Sequence, residues 1–239
     1  MTEQVEVATA DPSAPADHVL DRAPWESLGG RHHARFALRH GRAVRYHPEV
    51  APFVALEDAG DPRAWEDVAA LLGPEEELAL PGVSEWPDIW KPVFSAEGVQ
   101  MVGTRVDPRP EPEAVLLGAG DVPEILDLVA RTEPGPFLPR TVELGTYLGI
   151  RREGALVAMA GERLHPPGWT EISAVCTDPA YRGQGLAGRL VRAVSAGIVA
   201  RGEVPFLHAL ASNTNAIRLY AALGFELRRT TTFTVLSRA

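Results

Sequence analysis

The sequence predicts a mixed α/β (α+β) protein, and three observations carry that reading. Apolar residues alternate in short hairpin-like runs between residues 115 and 177, a strand–helix–strand pattern follows to residue 239, and 45% of the 239 residues are hydrophobic, enough for a sizeable core. No internal repeat at fixed period interrupts the pattern.

Bulk properties exclude several classes. A formal net charge of −9 argues against nonspecific nucleic-acid binding. No apolar run approaches the roughly 18 residues that span a bilayer, and "MTEQVEVATADPSAPADHVL" has neither the basic region nor the apolar stretch of a signal peptide; a cytoplasmic protein without a membrane partner is expected. The single cysteine, Cys176, excludes an internal disulfide and a cysteine-based metal cluster, and none of the seven histidines form an i, i+4 pair, so no metal is expected.

Residues 1–17 are polar and Ala/Pro-rich and read as a mobile tail. Residues 18–103 read as a smaller α/β N-terminal domain. Within it "FALRHGRAVRY" suits a hairpin turning at Gly41. "DPRAWEDVAALLGP" is a helix with Asp61 as N-cap, Pro62 at its first position and Gly73–Pro74 as its stop, burying Trp65, Val68, Leu71 and Leu72. The five arginines and no acid between Arg31 and Arg45 read either as a solvated hairpin face or as a patch for phosphate or an acidic partner.

The Pro/Glu-rich segment beginning "TRVDPRPEPE" reads as a linker over residues 104–113. Residues 114–239 form the second domain. "AVLLG" is a strand, and "DVPEILDLVA" is a helix with Asp121 and Glu124 as a capping box. "TYLGIRREGALVAMAGERL" is a hairpin turning at Glu153–Gly154, and "WTEISAVCT" is a third strand. A helix with Leu186, Leu190, Val191, Val194 and Ile198 on one side precedes the strand "VPFLHAL", the helix "NTNAIRLYAALGF" and a last strand "TTFTVLS".

The chemistry concentrates in "DPAYRGQGLAGRLV". A helix start carries unpaired amides and the positive end of the helix dipole, which suit an anion. Gly183 and Gly185 let the backbone turn sharply and admit a phosphate, Ala187 keeps the next turn narrow, and Arg182 adds charge. A Gly-rich helix start with no ligand fits the same residues. Neither G-x-x-x-x-G-K-[ST] nor G-x-G-x-x-G is present, and there is no G-x-S-x-G nucleophile elbow.

Arg182-Gly183-Gln184-Gly185-Leu186-Ala187 resembles the R/Q-x-x-G-x-G/A signature of the GNAT superfamily of acyl-CoA-dependent N-acyltransferases. The stretch from Asn213 through Ala216, Leu219 and Tyr220 to Gly224-Phe225 is similar to that family's N-x-x-A-x-x-L-Y-x-x-x-G-F motif. The resemblance covers about residues 114–239 and looks closest to the small-substrate enzymes related to glycine N-acyltransferase. It implies a central mixed sheet flanked by helices. Residues 18–103 match no motif and read as either a degenerate copy of that fold or something unrelated; covering the acceptor site, forming a homodimer surface and extending the sheet are the roles open to them.

The resemblance further implies acetyl-CoA as cosubstrate, its pyrophosphate on the amides of Arg182 to Ala187, and its pantetheine arm between "EISAVCT" and "PFLHAL", splayed apart. The Val175 amide is the expected donor to the thioester carbonyl. Cys176, Thr177, Asn213, Ala216 and Tyr220 complete the expected cosubstrate contacts. Asn213 also suits an N-cap.

Tyr220 matches the position that often supplies the proton to the departing thiolate, though helical spacing also suits it as core. Glu171 is the expected general base, sharing a face with Ser173 and Val175 by strand alternation, with Glu162 and His208 in reserve. An acyl-Cys176 intermediate is not expected, for no basic partner is near it in sequence. Phe137, in "RTEPGPFLPRTVELG", and the region of Arg228 and Arg229 are expected at the acceptor side. The implied activity is N-acetyl transfer to a small-molecule primary amine; the alternative is a non-catalytic acyl-CoA-binding sensor or assembly module.

Overall fold

The computed structural model describes residues 18–73 and 75–239, so the expected N-terminal tail and Pro74 lie outside the described residues. In chain order come α1 (Ala23–Gly29), β1 (Ala37–His40), β2 (Ala43–Tyr46), β3 (Val54–Leu56), α2 (Pro62–Leu71), β4 (Leu78–Pro81), β5 (Trp90–Val102), β6 (Val115–Leu117), α3 (Val122–Thr132), β7 (Tyr147–Arg152), β8 (Ala155–Glu162), β9 (Trp169–Thr177), α4 (Leu186–Ala200), β10 (Val204–Leu210), α5 (Thr214–Ala222) and β11 (Glu226–Arg238).

Two sheets result, a three-stranded one ordered β1-β2-β3 and an eight-stranded one ordered β4-β11-β5-β10-β9-β8-β7-β6. The β9–β10 pair is parallel, and every other pair in the large sheet is antiparallel. This is the mixed sheet flanked by helices that the sequence predicts. Residues 104–113 hold no helix or strand, yet β4 and β5 before them lie in the same sheet as β6 to β11 after them. The boundary drawn there in sequence is therefore not a boundary of the sheet: β5 runs against β11 from Val102↔Glu226 to Trp90↔Arg238. The remainder of residues 18–73 is a small antiparallel sheet with two helices rather than a second mixed sheet.

Helix α4 follows its apolar stripe. Leu186, Leu190, Val191, Val194 and Ile198 are all buried against Ile150, Val157, Ile172 and Leu207, each side chain contributing about 1.5–3 kcal/mol. Tyr220 and Leu223 near α5 join the same cluster. On the opposite face, Ile125 and Leu128 of α3 pack on Tyr147, Met159 and Cys176. Leu20, Tyr46 and Phe53 of the N-terminal region cover Leu144, Leu164 and Phe206. The N-terminal region thus both extends the large sheet and roofs one side of it.

Local expectations are met unevenly. Asp61 caps α2 by accepting from the Arg63 amide at 2.9 Å, and Trp65, Val68 and Leu72 are buried. The capping box is not formed: Asp121 accepts from Gly118 N instead, and Asp121 and Glu124 both pair with Arg151, whose guanidinium outcompetes a neutral amide for the carboxylates. The arginine run is tied down more than a solvated face would be, since Arg45 is buried and paired with Glu76 at 2.8 Å, and Arg42 meets Asp61 and Asp67.

Candidate active site

The site begins where two parallel strands part. β9 and β10 pair from Trp169↔Val204 to Ile172↔Leu207 and no further, because β10 continues against β5 as far as Leu210↔Gly98 while β9 continues against β8 as far as Thr177↔Ala158. A bulge on β9 widens the gap. Its register against β8 steps from Ser173↔Gly161 to Cys176↔Met159, so Ala174 and Val175 stand against one residue, and Ala174 takes φ +54°. A non-glycine residue in this region is uncommon, and bulges of this kind re-aim a strand locally.

The bulge also reverses the alternation. Val175 packs with Ile172 on the α4 face, while Ala174 and Cys176 pack on the α3 face. The expectation that Val175 shares a face with Glu171 therefore fails at the extra residue.

A cleft of about 860 Å³ occupies the gap. One end is lined by Thr177, Arg182, Gly183, Gly185 and Ala187; the middle by Ser173 to Cys176, Asn213, Ala216 and Tyr220; and the other end by Gln100, Arg163, His208, Arg229 and Phe233. Leu20, Asp21, Pro24 and Phe53 of the N-terminal region close that far end.

The loop end is built as an anion cradle. Gly183 and Gly185 take φ +80° and +72°, and a methyl group added at either would meet no atom of the described residues within 4 Å beyond its chain neighbours. Among the described residues no side chain caps α4, so its first amides are not claimed by those side chains. The lead-in is fixed from behind: Asp178 accepts from the Ala180 amide at 2.9 Å and pairs with Arg131 of α3. Arg182 lies across the turn, its Nε 3.4 Å from Thr177 O. These features fit a diphosphate-bearing cosubstrate. Asn213 is the N-cap of α5, its Oδ1 accepting from Ala216 N at 3.1 Å.

Tyr220 is 7% exposed and its side chain lines the middle of the cleft. Burial, with Cys176 adding to it, pushes the phenol up to about 12, so it is protonated at neutral pH. Burial likewise raises the Cys176 thiol, which disfavours a thiolate nucleophile there.

Glu171 is fully buried and does not face the cleft. Arg163 binds it with both arms, Nε to Oε2 at 2.8 Å and Nη2 to Oε1 at 2.7 Å, and His208 Nδ1 lies 2.7 Å from Oε1. Burial alone would raise this carboxyl, but the Arg163 charge and hydrogen bonds overrule it and hold it at about 2. The sequence expectation of a free general base at Glu171 is thereby corrected: an acid with so little proton affinity and both oxygens engaged serves its partners instead.

Glu162 is no substitute, being buried on Arg201 and the Thr146 amide. Phe137 packs on Tyr147 in the α3 core, and residues 132–136 line the cleft in its place. Arg229 lines the far end of the cleft while Arg228 does not, and both pair with Asp21 at 2.7 Å.

Arg163, Asp21 and Gln100 are residues that the sequence reading missed. Arg163 had a usable signal, for a carboxylate in the middle of a strand as apolar as "WTEISAVCT" needs a cation, and the β8–β9 connection supplies one eight residues earlier. Asp21 and Gln100 had none, because their partners lie 208 and 108 residues away in the chain.

The FR47-like protein family matches residues 147–234. A crystal structure from Novosphingobium aromaticivorans assigned to the GNAT family of acetyltransferases is 43% identical, with a TM-score of 0.85, covering 93% of this chain and 100% of that one. N-alpha-acetyltransferase RimI of Mycobacterium tuberculosis is 40% identical over 83 residues, 34% of this chain and 51% of that protein. An uncharacterised protein of Mycobacterium leprae is 32% identical over 209 residues, 78% of this chain and 56% of its own. The chain thus spans about half the length of the curated relatives it matches.

Proposed function

The chain belongs to the GNAT family of acetyltransferases, and on that premise we propose that it moves an acetyl group from acetyl-CoA directly to a primary amine of a small molecule within a ternary complex. The observation that carries the reading is the continuous cleft, which runs from an uncapped helix start, through a strand splay, to a chamber beyond it.

In this reading the amides of Arg182 to Ala187 hold the pyrophosphate of the cosubstrate, and Arg182 adds its charge. The freed edges of β9 and β10 flank the pantetheine arm, with Asn213 and Ala216 beside it. The Val175 amide, turned by the bulge, polarises the thioester carbonyl. Such a donor stabilises the oxyanion at no cost in reorganisation. Tyr220 is held protonated by burial and donates to the departing sulfur.

The chamber is what favours an enzyme over a cosubstrate sensor. A sensor needs no space past the thioester, whereas here the cleft continues to Gln100, His208, Arg229 and Phe233 under the N-terminal roof. A far end of mixed polarity under Leu20, Asp21, Pro24 and Phe53 suits a small amine, the substrate class that the resemblance to the glycine N-acyltransferase subgroup implies. Incubation with acetyl-CoA and a panel of primary amines, followed by free-thiol release, tests the proposal. Acceptor-dependent release is expected; release that no amine accelerates would contradict it.

A further inference from the structure

His208 is the first residue of β10 past its last pairing with β9, and its side chain is 8% exposed, at the cleft wall. Its two ring nitrogens have opposite roles that the neighbours decide. Arg228 donates to Gln100 Oε1 at 2.6 Å, so the Gln100 carboxamide must present its NH₂ end to Leu20 O and to His208 Nε2, each at 3.0 Å. His208 Nε2 is therefore an acceptor, its lone pair held by the Gln100 NH₂ at the cleft wall. Nδ1 carries the proton and donates it to Glu171 at 2.7 Å.

Resting on the acetyl-transfer reading, we propose that His208 is the catalytic base that takes the proton from the acceptor's ammonium, with Glu171 and Gln100 as positioning residues behind and beside it. The Gln100 N–H is a neutral donor standing where an acceptor N–H would stand. It keeps the ring in one tautomer without protonating it, and it retains Leu20 O and Arg228 when an acceptor displaces it. Glu171, kept ionised by Arg163, is the anion that stabilises the imidazolium once formed. The other charged groups near this end are Arg228 and Arg229 on Asp21, and the rings of Phe206 and Phe233 close the remaining sides.

The step balances. The ammonium gives one proton to His208, which passes it to solvent, and the freed nitrogen pair forms the C–N bond. As the tetrahedral adduct collapses the C–S bond breaks, sulfur keeps the pair and takes the Tyr220 proton, and the proton shed by the new amide nitrogen restores Tyr220. Net release is one proton per acetyl group.

The test compares wild type, His208→Gln and His208→Ala in acetyl transfer from acetyl-CoA to the best acceptor among benzylamine, glycine and an alanine-initiated tetrapeptide, across pH. Acetyl-CoA affinity serves as the control for folding. His208→Gln is expected to lower kcat by about 10²-fold or more with the KM for acetyl-CoA unchanged, and to abolish the acidic limb of the profile. His208→Ala is expected to regain activity with free imidazole, and Glu171→Gln to lower kcat with the KM for acetyl-CoA unchanged, since the imidazolium then forms without its anion. A His208→Gln enzyme within threefold of wild type with the same acidic limb overturns the proposal while leaving acetyl transfer standing. Wild type that binds acetyl-CoA and acetylates none of the amines overturns the acetyl-transfer reading and this proposal with it.

Discussion

Replacing Glu171 by glutamine removes one charge and almost no volume, and leaves the Arg163 guanidinium, 14% exposed, without its anion. A carboxyl held at about 2 against an ordinary 4.5 favours the folded ionised state by about 3 kcal/mol, in line with the roughly 3–5 kcal/mol lost when one member of a buried pair is deleted. The folded value is the depressed one, so this stability is fully present above pH 4.5 and is lost as pH falls toward 2. Urea denaturation at pH 7 is expected to place the variant's midpoint about 1 M below wild type, taking a denaturant slope of about 3 kcal/mol per molar. At pH 3 the difference is expected to shrink to roughly half. Midpoints within about 0.3 M at pH 7, or a gap that does not narrow in acid, would refute the claim that Arg163 depends on this carboxylate.

Tyr220→Phe is expected to lower kcat tenfold or more, with acetyl-CoA affinity and melting temperature unchanged; steady-state kinetics beside calorimetry read this, and an unaltered kcat would remove the phenol from the chemistry. Gly161→Ala places a Cβ 2.1 Å from the Tyr147 ring, so the variant is expected to lose about 3 kcal/mol in urea denaturation, and wild-type stability there would mean that the ring moves freely.

Much of the architecture was legible because it rests on local signals. The apolar stripe of α4, the Asp61 cap and the glycines of the turn before α4 each declare themselves within a few residues, and the structure sets all three where the pattern puts them. β5 was not legible. Its partner β11 lies more than 120 residues away, and "TRVDPRPEPE" just after it reads as a linker although β5 before it and β6 after it lie in one sheet. The β9 bulge leaves no mark either, since its left-handed residue is Ala174 and not glycine, so simple alternation assigns Val175 to the wrong face. Glu171 was noticed for its residue type, but its role turned on Arg163 and His208, which reach it across a strand connection and from the next strand.

Cosubstrate binding at the loop before α4 is read by calorimetric titration of the purified protein with acetyl-CoA, beside a Gly185→Glu variant of unchanged melting temperature. The added carboxylate would stand where the Gly185 surroundings are open and repel a pyrophosphate. Saturable micromolar binding by wild type and its loss in the variant are expected. Folded wild type that binds no acetyl-CoA, or a variant that binds it equally well, would contradict the assignment of the loop and the mechanism built upon it.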